Sequence, residues 1–142
     1  MRPIIIIGEI SYITESFARV FSDELLCSVH LFNKIDDWRR SPYTQCAAFI
    51  VVDAPARLDL SNCHDVVWQI KSLGDDSPII VISDVVSAMR VAMNFSRGAR
   101  GYISTGATLD ETLAAIRLVL SGGVFVPANI ALPGHRPGES NL

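Results

Sequence analysis

Five short apolar runs, each followed by a segment with helical periodicity, constrain the fold of this chain more than any other feature. The runs are rich in Val and Ile and are bounded by Gly, Pro or Asp, which is typical of buried strands. Because such runs are apolar on both faces, they favour a parallel sheet that is covered by helices on each side. The runs are Ile4–Ile7, Cys27–Phe32, Ala47–Val52, Ile79–Ile82 and Tyr102–Ile103.

The segments between and after these runs carry apolar residues at the three- and four-residue spacings of one helix face. The last segment has the clearest start, because Thr108 followed by Glu111 has the pattern of a capping box. Strands that alternate with helices predict an α/β fold of three layers, with a five-stranded parallel sheet between two layers of helices. The marker residues of the first four helices are Ile13, Phe17, Val20 and Phe21; Ile35 and Trp38; Val66, Ile70 and Leu73; and Met89, Ala92 and Phe95.

The composition fits a single domain with a well-filled core. Of 142 residues, 49% are hydrophobic and 19% are charged, which excludes an intrinsically disordered chain. A net charge of −3 makes this chain a poor candidate for binding nucleic-acid phosphates by itself. The apolar runs are too short for a signal peptide or a membrane span, and the cysteines have no C-x-x-C spacing. We therefore expect a cytoplasmic protein that does not contact a membrane.

Carboxylate and hydroxyl side chains follow several of the predicted strands, where a doubly wound sheet places its functional site. The first strand is followed by Gly8-Glu9, the third by Asp53, the fourth by Ser83-Asp84 and the fifth by Ser104-Thr105. Carboxylates that converge there could bind a divalent cation or act as a nucleophile. They could equally cap the helices that follow, and the sequence leaves both interpretations open.

The order of residues resembles that of the receiver (CheY-like) domain of two-component response regulators, and more narrowly that of the NarL/LuxR-type transcription regulators. The resemblance runs from about residue 3 to residue 127 and is strongest in three segments. These are Gly98-Ala99-Arg100-Gly101-Tyr102-Ile103, Leu113-Ala114-Ala115-Ile116-Arg117 and Gly122-Gly123-Val124-Phe125-Val126-Pro127. The resemblance implies a CheY-like (βα)5 fold for residues 1–127, with residues 128–142 as a linker or tail.

The resemblance also implies a phosphorylation site, which departs from the family pattern. Asp53 takes the place of the aspartate that accepts a phosphoryl group. Gly8 and Glu9 replace the two acidic residues that hold Mg²⁺, so that Glu9 and Asp53 leave at most a weak magnesium site. Thr105 replaces the lysine of the family. Phosphoryl transfer builds negative charge that a cation and an ammonium group neutralise, and losing one such contact costs about a hundredfold in rate. We therefore expect a degenerate receiver that is phosphorylated poorly or not at all.

Two further residues correspond to the switch residues of the family. Ser83 matches the small hydroxyl residue after the fourth strand, and Tyr102 matches the aromatic residue of the fifth strand. The residues themselves allow simpler roles. Ser83 could hydrogen-bond locally at the strand end, and Tyr102 could be a packed aromatic side chain.

The last helix is apolar nearly all round, since Leu113–Leu120 contains a single charged residue, Arg117. Apolar surface left exposed marks a partner site, which predicts a homodimer that pairs through this helix. The covering loops and the 124–127 segment could instead bury the excess. The predicted dimer face consists of Leu113, Ile116, Arg117, Val119 and Leu120.

These observations lead to a functional hypothesis and to an alternative from another class. The hypothesis is a non-enzymatic signal-receiver domain of a LuxR/NarL-like transcription regulator, which controls the oligomeric state of a DNA-binding output domain expected beyond Leu142. Its input would be a sensor histidine kinase, another protein or a ligand, and DNA would be contacted only through the output domain. The alternative is a stand-alone receiver-like adaptor. A flavin-binding protein is disfavoured, because Glu9 would repel a cofactor phosphate.

Overall fold

The computed structural model describes residues 2–54, 60–128 and 130, with the backbone alone described for 60–65. Strands and helices alternate along this part of the chain. The strands are β1 (Ile4–Ile7), β2 (Val29–Phe32), β3 (Phe49–Asp53), β4 (Ile79–Ser83) and β5 (Gly101–Ser104). The helices are α1 (Tyr12–Leu25), α2 (Ile35–Arg39), α3 (Leu60–Ser72), α4 (Ala88–Ser96) and α5 (Leu109–Leu120).

The strands form one parallel sheet in the order β2-β1-β3-β4-β5. The strand order reverses between β1 and β3, so the carboxyl ends of these two strands border a crevice. β3 extends one residue beyond the predicted run, and Asp53 lies opposite Ile82 of β4. The predicted α/β fold with a five-stranded parallel sheet of the CheY-like type is confirmed.

Each face of the sheet supports its own hydrophobic core. The first core joins the sheet to α2, α3 and α4 through Trp38, Ile70 and Val91. The second joins the opposite face to α1 and α5 through Phe21 and Ile116. The three-layer arrangement follows from the alternation of side chains along buried strands, which sends neighbouring residues into opposite cores.

The helix faces differ from the predicted stripes at several positions. In α4 the predicted marker Met89 is 66% exposed, whereas Val91 and Asn94 are buried. Asn94 is tolerated there because its amide donates a hydrogen bond to the Arg90 carbonyl, at 2.8 Å. In α1 the predicted marker Ile13 is also exposed.

The N-terminal cap of α5 contains half of the predicted capping box. The N–H of Glu111 donates to the Thr108 hydroxyl at 3.1 Å. A complete box occurs at α1, where the Ser11 N–H donates to Thr14 Oγ1 at 2.8 Å and the Thr14 N–H donates to Ser11 Oγ at 3.4 Å. Threonine takes the place of the usual Glu or Gln there, which is why the sequence pattern missed it.

The predicted dimer face on α5 is wrong for three of its five residues. Leu113, Ile116 and Val119 are buried, and the last two lie in the second core. Val119 approaches the sheet closely where Gly101 lacks a side chain: a Cβ atom there would lie 3.1 Å from Cγ2 of Val119. The fold itself therefore uses most of the apolar surface of this helix, while Arg117 and Leu120 remain exposed.

The chain after α5 returns along the free edge of β5. The Tyr102 N–H donates to the Phe125 carbonyl at 3.1 Å, and the Phe125 N–H donates to the Arg100 carbonyl at 3.0 Å. The side chain of Phe125 packs against the second core, and Val126 and Ile130 pack against the first. Residues 124–127 thus cover the edge of β5. None of the described helices is long and apolar enough to cross a membrane.

Candidate functional site

A cavity of about 210 Å³ opens at the carboxyl edge of the sheet, and we call it the Asp53 cavity. The ends of β1, β3, β4 and β5 each contribute to it, as the parallel topology requires. It is lined by Glu9, Ser11, Tyr12, Ile13, Asp53, Asp84 and Thr105. The structure therefore brings together three of the predicted site residues, Glu9, Asp53 and Thr105.

Asp53 is the partly buried carboxylate of this cavity. Burial, and to a smaller extent the negative charge of Asp84, raise its pKa from the ordinary 3.8 to about 6. Burial disfavours the charged form and a neighbouring carboxylate does so as well. The Asp53 cavity is therefore an anionic environment for its own carboxylate.

Asp84 lies at the predicted sheet edge, but no specific role in the site was predicted for it. It follows β4 directly, lines the Asp53 cavity and raises the pKa of Asp53. The signal was present in the sequence, since Asp84 is an acidic residue at a strand end next to Ser83. The resemblance drew attention to the hydroxyl residue instead.

Gly8 lies so close to Asp53 that a side chain at position 8 would require a local shift. A Cβ atom on Gly8 would lie 2.7 Å from the Cβ of Asp53, a separation at which one of the two residues must shift. The backbone of Gly8 also has a φ of +156°, which side-chain-bearing residues rarely adopt. The resemblance implies an acidic residue at position 8. The backbone at this position leaves no room for its side chain unless Gly8 or Asp53 shifts.

The lysine position carries no positive charge in this chain. Thr105 lines the Asp53 cavity, and its N–H donates to the Ser83 carbonyl at 3.0 Å. Among the described residues that line the cavity, none is a lysine or an arginine. Lys71, whose pKa is lowered by burial and by Arg100, donates to the Ser77 carbonyl before β4 begins, at the other end of that strand.

The carboxylates of the cavity do not form a three-ligand metal cluster. Within residues 2–54 and 66–128, no three His, Cys, Asp or Glu side chains are arranged to hold a metal ion. Glu9 and Asp53, the predicted weak Mg²⁺ ligands, line one cavity together with Asp84. Because Mg²⁺ is commonly held by one or two carboxylates and several waters, a weak magnesium site at Glu9 and Asp53 stays a prediction.

Ser83 and Tyr102 both bond to the loop after β4. The Ser83 hydroxyl accepts a hydrogen bond from the Val85 N–H at 3.1 Å, and the Tyr102 hydroxyl donates to the Val85 carbonyl at 2.6 Å. Both side chains are fully buried. The local roles that the sequence allowed are therefore the ones observed, and a switch function for either residue stays a prediction. Pro55, which follows Asp53 by two positions in the sequence, lies outside the described residues.

Neither the models of known protein families nor the sequences of curated proteins match this chain. Solved structures match it across most of its length. A LuxR family DNA-binding response regulator from Silicibacter pomeroyi has a TM-score of 0.69 and 14% identity, covering 89% of this chain and 98% of that one. A LuxR family two-component response regulator from Aurantimonas sp. SI85-9A1 has a TM-score of 0.73 and 16% identity, covering 91% of each chain.

A putative pilus assembly-related protein from Burkholderia pseudomallei matches as well, with a TM-score of 0.74 and 13% identity, covering 87% of this chain and 92% of that one. These identities are too low to transfer activity, and the similarity concerns the fold. The fold is that of the response regulator receiver (CheY-like) domain. In this chain the carboxyl edge of the sheet carries a cavity lined by the carboxylates of Glu9, Asp53 and Asp84.

Proposed function

We propose that this chain is an atypical signal-receiver domain of a LuxR/NarL-like transcription regulator. In this proposal the domain is not an enzyme, and it accepts a phosphoryl group poorly or not at all. It acts in the cytoplasm by setting the oligomeric state of an attached DNA-binding output domain. Its input is a protein partner or a ligand, with a sensor histidine kinase as the input that the cavity favours least.

The observation that carries this proposal is the charge of the Asp53 cavity. Asp53, Asp84 and Glu9 line it together, and none of its described lining residues is cationic. An acyl phosphate on Asp53 would add further negative charge to this group. Electrostatic stabilisation of that charge is the main contribution of a protein to phosphoryl transfer. The cavity therefore opposes the modification that the receiver fold normally supports.

The LuxR/NarL assignment has separate support from the sequence. The segments Gly98–Ile103 and Gly122–Pro127 carry the resemblance. In the structure they lie side by side, because residues 124–127 pair with the edge of β5. Two of the matching structures are described as LuxR family regulators. The domain would then transmit its state through the C-terminal segment that leads toward the output domain.

The experiment is phosphorylation by a small-molecule donor. The domain is incubated with Mg²⁺ and acetyl phosphate, and its intact mass is measured beside a conventional receiver treated in the same way. We expect the conventional receiver to gain a phosphoryl adduct and this domain to remain unmodified. A near-stoichiometric adduct that disappears in Asp53→Asn would contradict the proposal.

A further inference from the structure

β2 is an edge strand, and half of its backbone groups face away from the sheet. The strand order places β1 on one side of β2 and no described strand on the other. β1 and β2 run parallel, and the Ile4 N–H donates to the Ser28 carbonyl at 2.9 Å. The even-numbered residues of β2 therefore bond to β1, whereas the N–H and C=O groups of Val29 and Leu31 point outward. We call these two donors and two acceptors the β2 edge.

The opposite edge of the sheet is closed. Residues 124–127 run along β5, and the Phe125 N–H donates to the Arg100 carbonyl at 3.0 Å. Two copies of this domain can therefore join their sheets only from β2 to β2. An open edge strand is a template for pairing with another chain, and a contact that uses the same surface on both copies closes as a two-fold dimer.

We propose that the β2 edge binds the β2 edge of a second copy of this chain, in antiparallel orientation. In an antiparallel pair, the residues whose groups point toward the other strand lie opposite each other and exchange both hydrogen bonds. A symmetric parallel pair is excluded, because it would need odd-numbered residues outward on one copy and even-numbered residues outward on the other. The β2 edge presents the same residues on both copies, so only the antiparallel pair fits.

The outward groups also fix the register of the pair. All four groups are used when Val29 of one copy lies opposite Leu31 of the other, and the reverse. His30 then lies on the two-fold axis, opposite the same residue of the second copy. Such a pair without direct hydrogen bonds has its Cα atoms about 4.5 Å apart. The two sheets would form one continuous sheet across the contact.

The surroundings of the β2 edge are complementary in this register. Leu26, which precedes the strand, is 77% exposed, and it would lie opposite Lys34 of the second copy. The last turn of α1 contains the exposed Asp23 and Glu24 and no basic residue. The lysine could cover Leu26 with its apolar stem while its ammonium group approaches these carboxylates. The charges at the two ends of the strand therefore favour a second copy in antiparallel orientation.

This contact is separate from the exposed apolar surface at the end of α5, which lies beside β5 at the other edge of the sheet. It deepens the proposed function by naming a surface through which the oligomeric state is set, and that regulatory meaning rests on the proposed function. The contact itself needs neither a phosphoryl donor nor an output domain. A phosphorylated Asp53 would overturn the proposed function and leave the contact standing.

The first test is amide hydrogen exchange of the unsubstituted domain at protein concentrations from roughly 20 μM to about 1 mM. A small contact of this kind should have a dissociation constant on the order of 0.1–1 mM. We expect exchange at Val29 and Leu31 to slow by roughly two- to threefold over this range, because their N–H groups become bonded. The N–H of His30 faces β1 and is the internal control. Exchange that does not depend on concentration, that slows equally at His30, or that loses its concentration dependence in Leu120→Glu would overturn the proposal.

The second test is disulfide cross-linking in a background that carries Cys27→Ser, Cys46→Ser and Cys63→Ser. His30→Cys places two thiols opposite each other on the two-fold axis, at a Cα separation within the range of disulfides. In the matched control Ser28→Cys, each thiol lies two residues from the axis, so the two are about 13 Å apart.

Oxidation at about 1 mM protein should therefore link His30→Cys into a covalent dimer at least about fivefold faster than Ser28→Cys. Equal rates for the two variants would contradict the register. His30→Cys gives up the ring stacking of His30 on Tyr43. If this variant did not fold, the exchange experiment on the unsubstituted domain would decide the proposal by itself.

Discussion

At the level of single residues, two features of its surroundings change the pKa of Asp53 in the same direction. Burial and the charge of Asp84 both raise its pKa, to about 6. We predict that Asp84→Asn lowers the pKa of Asp53 toward its ordinary value, because one of the two causes is removed. The control is Asp110→Asn, which removes an exposed carboxylate of α5 and should leave the pKa of Asp53 unchanged. A carboxyl-detected NMR pH titration measures the pKa of Asp53 in both variants. An Asp53 pKa that is unchanged in Asp84→Asn would refute the interaction between the two carboxylates.

The raised pKa of Asp53 has a consequence for stability. The folded state holds the proton up to about pH 6, whereas the unfolded chain releases it near pH 3.8. The free energy of unfolding therefore falls as pH rises between these values, and the penalty is complete above them. The shift corresponds to roughly 3 kcal/mol, which solvent screening of a partly exposed group reduces to roughly 1 kcal/mol.

We predict from this that Asp53→Asn stabilises the domain at pH 8 by roughly 1 kcal/mol and has little effect near pH 3. The asparagine removes the charge that folding disfavours and keeps the shape of the side chain. Urea denaturation at the two pH values measures the difference. If the Asp53→Asn variant is less stable than the unsubstituted domain at pH 8, the Asp53 carboxylate has a stabilising partner.

At the level of elements, the buried and exposed faces of α5 should respond differently when a leucine is shortened to alanine. Leu113→Ala should destabilise the domain by about 2–5 kcal/mol, because it leaves a cavity against the core. Leu120→Ala removes the same atoms from a side chain that is 48% exposed and should change stability by less than about 0.5 kcal/mol. Denaturant unfolding of the two variants gives the comparison. Similar values for both would mean that α5 does not pack as described.

The strands could be predicted from the sequence because they are buried on both faces, so that nearly every residue of a run such as Ile4–Ile7 is apolar. The helix faces were harder to predict, since Met89 is exposed and Asn94 is buried. Asn94 satisfies its amide within α4 itself, by a hydrogen bond that no hydropathy pattern records. The packing of Val119 likewise depends on the close approach of α5 to Gly101.

The sequence predicted where the candidate site lies, but it did not predict the burial and charge around Asp53. The carboxyl ends of parallel strands meet at one edge, so Glu9, Asp53 and Thr105 could be placed together from the sequence. The pKa of Asp53 and its coupling to Asp84 depend on burial and distance, which the sequence does not contain. The steric closure at Gly8 likewise became visible only when β3 was in place.

At the level of the whole molecule, the apolar surface that remains exposed near the end of α5 is where we expect self-association. Leu118, Leu120 and Val124 lie within seven positions of one another in sequence and are each about half exposed. Residues 124–127 already cover the edge of β5, so a second copy of this chain could not add a strand there. It would have to contact the exposed side chains next to that edge. The predicted homodimer would therefore depend on this end of the helix.

We predict that Leu120→Glu weakens self-association, because it places a charge in the apolar contact. Met89→Glu introduces the same charge at an exposed residue of α4, 66% exposed, and should leave association unchanged. Sedimentation velocity over a range of protein concentrations gives the mass of each variant. A wild-type domain that is monomeric throughout, or equal effects of the two substitutions, would contradict a dimer through α5.

We propose that the Asp53 cavity does not stabilise added negative charge. The most direct measurement is a titration with Mg²⁺ and beryllofluoride, a mimic of the aspartyl phosphate, followed by the amide resonances of Asp53, Asp84 and Thr105. We expect no saturable change with beryllofluoride, either with or without Mg²⁺. Saturable shifts at these residues that are lost in Asp53→Asn would contradict it.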